Sequence, residues 1–420
     1  MIQSLNLANQ ISRHLPAELV EFMHLAGSLA SRQNQRLFLV GGVVRDLLLG
    51  RNNLDLDLVA EGDALKLAEE LADLKNGKVI AHSRFNTAKI KWGKWSVDIA
   101  TARAEAYENP GALPSVECNC DIQKDLIRRD FTINAMAIYL DPLHYGQLID
   151  LYQGQEDLQR GYIRILHDNS FKDDATRIWR AVRYEQRLDF EIESHTLEIL
   201  RRDLAYLDTI SGDRIRHELE LCLEEECPEK SLVRAGELGI LQRINPHLTA
   251  GEWLAKKISK ARGLMQPYCP PEELYLAFLV YRFSSNDLAD LMQYLRFPRS
   301  VIRGLQDTLQ LKNELVNLSR TDLLPSQVYR YLHPHSQTAI MANLLATDSV
   351  LVRRYIELYL NKLRHIQLDL SGDDLLEMSA ISGPRMKEIL EALHEAKLDG
   401  RITTREDELQ MAQKMGRETV

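Results

Sequence analysis

Long apolar runs are missing from this 420-residue chain. None approaches the roughly 20 residues of a membrane-spanning helix, and the first residues lack the basic-then-apolar pattern of a secretory signal. No membrane partner and a cytoplasmic location are therefore expected. Cysteine is scarce. The five present, Cys118, Cys120, Cys222, Cys227 and Cys269, are odd in number and irregularly spaced, which argues against a disulfide framework and for a reducing compartment. Cys118-x-Cys120 is half of a metal-site pattern, but no second Cys/His pair at a zinc spacing accompanies it. An excess of positive charge is missing too, the formal net charge being −9. That speaks against a uniformly basic nucleic-acid binder, though a local basic groove attracts phosphate whatever the total. Internal repeats and low-complexity tracts are not evident.

What is present is a globular composition, 45% hydrophobic and 27% charged, with length enough for about two to four domains. Residues 1–35 read as helices, with Leu19, Val20, Phe22, Met23 and Leu29 at near-helical spacing. From Phe38 to Asp141 the texture changes. β-rich runs at Phe38–Val40, Leu56–Val59, Lys78–Ile80, Ala88–Trp92, Ser96–Ile99 and Ala135–Tyr139 alternate with helical patterns such as Ala64–Leu74, as a small mixed sheet requires. Beyond Asp150 strand signal nearly vanishes. Asn245-Pro246, Pro270-Pro271, Phe297-Pro298, His333-Pro334 and Ser382-Gly383-Pro384 punctuate the helical patterns that follow. The expected fold class is α+β, a small mixed-sheet head followed by an all-helical neck, body and tail. The expected divisions are N-terminal helices over 1–35, head over 36–145, neck over 146–225, body over 226–310 and tail over 311–420.

The chain is organised around Phe38-Leu39-Val40-Gly41-Gly42-Val43-Val44-Arg45-Asp46, running on to Asp55-Leu56-Asp57. A glycine pair between a strand and a helix lets an anion approach backbone N–H groups at the helix start. A tight turn explains such a pair equally well. Two aspartates one residue apart present both carboxylates on one strand face, which is costly unless something positive lies on them. A hard divalent cation, Mg²⁺, is the natural candidate. With Arg45 nearby, the set suits a metal-clamped triphosphate and in-line attack by a hydroxyl. Asp98, in Ser96-Val97-Asp98-Ile99, is the candidate third catalytic carboxylate, or else an ordinary solvated strand-edge aspartate.

This stretch resembles the first motif of the class II tRNA nucleotidyltransferase and bacterial poly(A) polymerase family, within the DNA polymerase β-like nucleotidyltransferase superfamily. The resemblance implies that Asp55 and Asp57 bind the catalytic metal and that Gly42 and Arg45 contact the nucleotide, with Gly41 and Asp46 in the same nucleotide-binding set.

Arg128-Arg129-Asp130-Phe131-Thr132-Ile133-Asn134-Ala135 follows a charged loop. Arginines can grip phosphate, and a neighbouring Asp or Asn can bond a ribose hydroxyl. From chemistry alone a surface ion-pair cluster is as good a reading. The string resembles the family's second motif, which recognises the sugar, and this implies nucleotide contact at Arg129, Asp130 and Asn134. Before it, Glu105 to Pro114 has the Pro/Gly content of a loop, corresponding to a mobile element of the family.

Asp173-Asp174-Ala175-Thr176-Arg177-Ile178-Trp179-Arg180-Ala181-Val182-Arg183-Tyr184 points to the substrate. Asp174, Arg177, Arg180 and Arg183 are spaced by three, a row along neighbouring turns that could equally be a solvated face. A carboxylate accepts from an exocyclic amine, and a guanidinium donates to a ring nitrogen or carbonyl. One Asp–Arg pair can thus select cytosine and adenine over uracil and guanine. The stretch resembles the family's base-reading Glu-Asp-x-x-Arg, with Asp173 replacing the glutamate. The resemblance implies base reading by Asp174 and Arg177 and triphosphate contact by Arg180 and Arg183. His167-Asp168 has the look of a metal-hydrolase dipeptide but lacks partners at a plausible spacing.

Further on, Lys256, Lys257, Lys260 and Arg262, then Arg353, Arg354, Lys362 and Arg364, form basic clusters that could follow a phosphate backbone or be solvated faces. Leu370 to Leu375, Ile381 to Pro384 and Leu398 to Arg401 resemble the family's tail. The expected activity is template-independent addition or repair of the tRNA 3′-terminal CCA from CTP and ATP, with Mg²⁺ as cofactor and no DNA partner. The alternatives are an enzyme adding only A or only CC, a poly(A) polymerase, or a non-catalytic RNA-binding protein.

Overall fold

The computed structural model describes residues 5–82, 86–112, 114–118, 120–378 and 384–417. Leu113, at the tip of the expected loop, and Ser382 and Gly383, at an expected helix boundary, lie outside them. The chain divides into two compact units, Met1–Pro246 and His247–Val420.

In the first unit, α1 (Ala8–His14) and α2 (Ala17–Arg32) lead into β1 (Arg36–Val40), α3 (Gly42–Leu48), β2 (Leu56–Glu61) and α4 (Ala64–Leu74). Then come β3 (Lys78–His82), β4 (Thr87–Trp92), β5 (Trp95–Thr101), β6 (Arg103–Ala106), β7 (Ser115–Cys118), α5 (Ile122–Ile127), a 3₁₀ turn (Thr132–Asn134), β8 (Met136–Tyr139) and β9 (Leu148–Asp150). The main sheet runs β3-β4-β5-β2-β1-β8-β9. Within this sheet, among the described residues, only β2 and β5 pair in parallel. The expected α+β class with a mixed sheet holds.

All of Leu37–Val40 is buried, because β1 is covered on both faces. On one face α2 packs on β1 and α4 on β4 and β5, with Phe22 stacked on Trp92 at a ring separation of 4.4 Å. The other face carries Ile122 and Leu126 of α5 against Phe38, Val40, Val59 and Ala137. α2 approaches so closely that a Cβ on Gly27 would lie 1.8 Å from the carbonyl oxygen of Leu140. α4 starts where the Asp63 side chain accepts the Lys66 N–H, satisfying an otherwise orphaned donor of the first turn. α3 buries Val43, Val44 and Leu47, each contributing about 1.5–3 kcal/mol, and this anchors the turn that precedes it.

The stretch from Glu105 is not wholly a loop. β6 and β7 form a hairpin in the register Arg103↔Cys118 to Ala106↔Ser115. Arg103 and Glu105 hold its base by ion pairing, bonds that Pro/Gly content does not reveal. After α6 (Gly154–Arg160), two-residue strands β10 (Tyr162–Ile163) and β11 (Glu191–Ile192) pair in parallel around α7 (Ser170–Asp173) and α8 (Thr176–Leu188). They are too short to register as a pattern. α9 (Ser194–Asp203) and α10 (Gly212–Leu223) follow.

The second unit is helical throughout its described residues, from Glu252–Met265 to Arg405–Arg417. One core gathers Leu311, Val328, Leu332, Ile340, Val352 and Ile356, and another Leu375, Ile389, Leu393 and Ala412. Among the described residues no helix is long and apolar enough to cross a membrane.

Candidate active site

One end of the main sheet builds the site. β1 ends at Val40, which faces Asp57 of antiparallel β2 and Ala137 of β8, so Gly41, the Asp55/Asp57 pair and Asn134 all emerge together. Gly41 has φ +78°, a conformation glycine alone adopts without strain. A Cβ there would lie 3.1 Å from Arg129 Nη1 and 3.5 Å from Asp57 Oδ2. Asp55 sits just ahead of β2 and is exposed, while Asp57 is partly buried in the strand. Burial first, then the Asp55 charge, pushes the Asp57 carboxyl up to about 6 against the pull of Arg129.

These residues open into a cleft of about 560 Å³. Its lining holds Gly41, Gly42, Arg45, Asp55, Asp57, Arg129, Asp130, Asn134, Asp174, Arg177 and Arg180. Three stretches, the outer two more than a hundred residues apart in sequence, are thus brought to one wall. Three of the expected site residues do not line it. Asp46 is buried, taking Arg45 Nε and Nη2 on its two oxygens at 2.9 Å each and Asn53 Nδ2 at 2.7 Å. It braces Arg45 from behind the lining of the cleft. Asp98 is the register partner of Asp57 on β5 and pairs with Lys89 at 2.9 Å. It borders a smaller cleft of about 310 Å³ that shares Asp57, Arg128 and Arg129 with the first. Arg183 is buried and turned to Glu218, 3.8 Å away. Successive residues rotate by about 100° around a helix, so steps of three drift steadily off a face. Arg183 therefore ends well around α8 from Arg177.

Tyr184, seven residues from Arg177 and nearly on its face, lines the cleft instead. Its ring lies 5.3 Å from the Arg45 guanidinium carbon and 5.8 Å from that of Arg180, within cation–π range. Sequence reasoning also passed over Asn53, Glu105, Tyr107, Arg128 and Arg187 as lining residues. Helical phase signals Tyr184. The hairpin residues carry no comparable mark.

A polar chain ties the wall together. Arg45 Nη1 donates to Asn134 Oδ1 at 2.8 Å, Asn134 Nδ2 donates to Asp130 Oδ1 at 3.0 Å, and Arg180 donates to Asp130 Oδ2. Burial opposes the Asp130 charge, but Arg180 and Asn134 hold its carboxyl below the usual range. Asp130 in turn pushes Arg180 above its ordinary value, against burial. Arg128 and Arg129 share Asp125, which is fully buried. Arg129 Nε is buried with no hydrogen-bond partner, a cost that an arriving anion would relieve.

In the Asp173–Arg177 stretch, Asp174 Oδ1 accepts from Thr176 N and Oγ1 at 3.0 and 2.7 Å and from Arg214 Nη2 at 2.7 Å. Arg177 donates to Ser170 and to the Arg128 carbonyl. Asp173 lies 3.9 Å from His167, whereas Asp168 pairs with His195 at 2.9 Å, so the His167-Asp168 dipeptide points two ways.

Asp55 and Asp57 are the carboxylates of the cleft that could hold a divalent ion. Among the described residues no three His, Cys, Asp or Glu side chains gather to hold one. Mg²⁺ is commonly bound by one or two carboxylates plus substrate phosphates, and a pair of crowded carboxyls beside an arginine-lined cleft fits that mode.

Comparison with known proteins decides the family. Residues 37–164 match the profile described as Poly A polymerase head domain, and residues 189–251 that described as Probable RNA and SrmB-binding site of polymerase A. A curated A-adding tRNA nucleotidyltransferase from Halalkalibacterium halodurans is 34% identical over 97% of this chain and 95% of its own. The chain belongs to the tRNA nucleotidyltransferase and poly(A) polymerase family. A family member from Geobacter sulfurreducens, also an A-adding tRNA nucleotidyltransferase, is 36% identical over 96% of this chain, which spans only 48% of that relative's length. A CCA-adding enzyme from Thermotoga maritima, solved in complex with tRNA-CCA, superposes with a TM-score of 0.81 at 30% identity over 99% of both chains.

Proposed function

We propose that this protein is a template-independent tRNA nucleotidyltransferase that completes the tRNA 3′ end, joining CMP and AMP from CTP and ATP and releasing pyrophosphate. The observation that carries the reading is the placement of Asp174 and Arg177 in the cleft that also holds Asp55 and Asp57. A base-selecting pair and a phosphoryl-transfer pair in one cavity support selection by protein side chains alone.

In this reading Asp174 accepts from the exocyclic amine of cytosine or adenine, and Arg177 donates to the adjacent ring nitrogen. Arg129, with its buried unpartnered Nε, takes the triphosphate, and Arg180, already tied to Asp130, reinforces the positive wall. Asp130 and Asn134 hold that wall in place. The family generally uses a divalent metal. Asp55 and Asp57 would hold Mg²⁺, which when bound supplies activation of the 3′-hydroxyl and charge stabilisation at the phosphate.

A second reading, addition of the terminal A alone, is favoured by the names of the two curated relatives described above. Purified protein with single labelled nucleotides and tRNA ending before C-C, after C-C, or complete separates the two. Incorporation of CMP on the shortest tRNA and of AMP after C-C is expected. AMP addition with no CMP addition selects the second reading, and a long A tail on complete tRNA overturns both.

A further inference from the structure

We propose that Ser170, in α7 and outside the base-reading motif, is a specificity-determining positioning residue that sets the guanidinium of Arg177. The inference rests on the reading of Arg177 as a base-selecting group. Ser170 is fully buried beside the fully buried Phe171, a place where packing alone favours an apolar side chain. A buried hydroxyl is costly unless bonded, and Ser170 Oγ accepts from Arg177 Nη1 at 2.8 Å. The same Nη1 lies 3.4 Å from the Ser170 carbonyl oxygen, and Nη2 donates to the Arg128 carbonyl at 2.6 Å. Two contacts thus hold Nη1 and one holds Nη2 of a guanidinium that is itself buried.

The consequence is directional. A guanidinium is a rigid planar fork. With Nη1 occupied and one Nη2–H given to the Arg128 carbonyl, Nε–H and the second Nη2–H are the donors left for a base. Arg177 lines the cleft with Asp174, so a base can be read only at the angle Ser170 allows. Without the hydroxyl, Nη1 keeps only its longer contact, and the fork can rotate enough to donate to uracil or guanine carbonyls.

The test uses the full chain as Ser170→Ala, Arg177→Ala and the double variant, with each of the four nucleoside triphosphates on tRNA ending in C-C. Ser170→Ala is expected to raise UMP and GMP incorporation relative to AMP by about tenfold, the scale of one lost hydrogen bond, with thermal unfolding near that of the unsubstituted protein. Because Ser170 acts through Arg177, the double variant is expected to be no less selective than Arg177→Ala alone. Unchanged selectivity in Ser170→Ala, or additive losses in the double variant, overturns the inference. Should the alanine variant fail to fold, Ser170→Cys, which keeps a γ atom but is only a weak acceptor, is expected to lose selectivity, and native selectivity there overturns it. An unsubstituted protein that incorporates nothing overturns the underlying reading, whereas a selective one with an equally selective Ser170→Ala overturns the inference alone.

Discussion

Arg180 donates from both Nε and Nη2 to a single oxygen of Asp130, at 2.9 and 2.6 Å, while the other Asp130 oxygen accepts from Phe131 N and Asn134 Nδ2. Both carboxylate oxygens are thereby engaged within the protein. Asp130→Asn should lower stability in the absence of any ligand, because Arg180 loses its counter-charge. The loss should be about 1–3 kcal/mol, below that of a fully buried pair because about a third of the Arg180 side chain is exposed. Urea unfolding reads this directly, and an unchanged midpoint would sink the bracing role.

Asp57 gives a pH signature. Folding raises its carboxyl from 3.8 to about 6, so between those values the folded state holds a proton that the unfolded state has released. Stability contributed by this group therefore falls as pH climbs through that window, and the penalty is complete above it. Asp57→Asn should remove the fall and raise stability at pH 7 by about 1–2 kcal/mol, while nucleotide incorporation is abolished. Thermal unfolding of both proteins from pH 4 to pH 8 checks the sign. A parallel pH dependence in the two would contradict the assignment.

Contiguity decided what could be seen beforehand. Gly41, Gly42, Asp55 and Asp57 are legible because a strand, a short helix and a second strand bring near neighbours in sequence together. The six strand runs from Phe38–Val40 to Ala135–Tyr139 are legible because each carries its own β-branched and apolar residues. The bracing of Arg45 by Asp46 is not, since a motif residue looks the same whether it faces substrate or its own neighbour. Nor is the role of Asn134, which depends on a partner 89 residues away. The row of four at spacing three was misleading for Arg183 because helical phase, which favours Tyr184, outweighs sequence spacing.

Arg129→Ala tests the proposed contact with the triphosphate. Its Nη2 is held by Asp125 at 2.9 Å, and its Nη1 lies 3.1 Å from where a Cβ on Gly41 would be. The variant should raise KM for the nucleoside triphosphate about tenfold, the scale of one lost charge-assisted bond, with a smaller change in KM for tRNA. Steady-state kinetics with each substrate varied in turn gives the split, and equal effects on both would argue for a general distortion.

Gly27 tests the fold around the site. Its added Cβ would meet a backbone oxygen, which cannot swing aside as a side chain can. Gly27→Ala should therefore cost about 2–4 kcal/mol despite being favourable to an isolated helix. Chemical denaturation measures it, and a neutral or stabilising result would mean that α2 shifts on the sheet at little expense.

The chain Asn53–Asp46–Arg45–Asn134–Asp130–Arg180 has one further consequence, for how the sequence can drift. Each interior member is satisfied chiefly by the next, so a replacement at Asp46, Arg45, Asn134 or Asp130 orphans a neighbour inside the wall. Change there should be inherited in matched pairs, and single-step variation confined to the ends of the chain, where water can stand in for a missing partner.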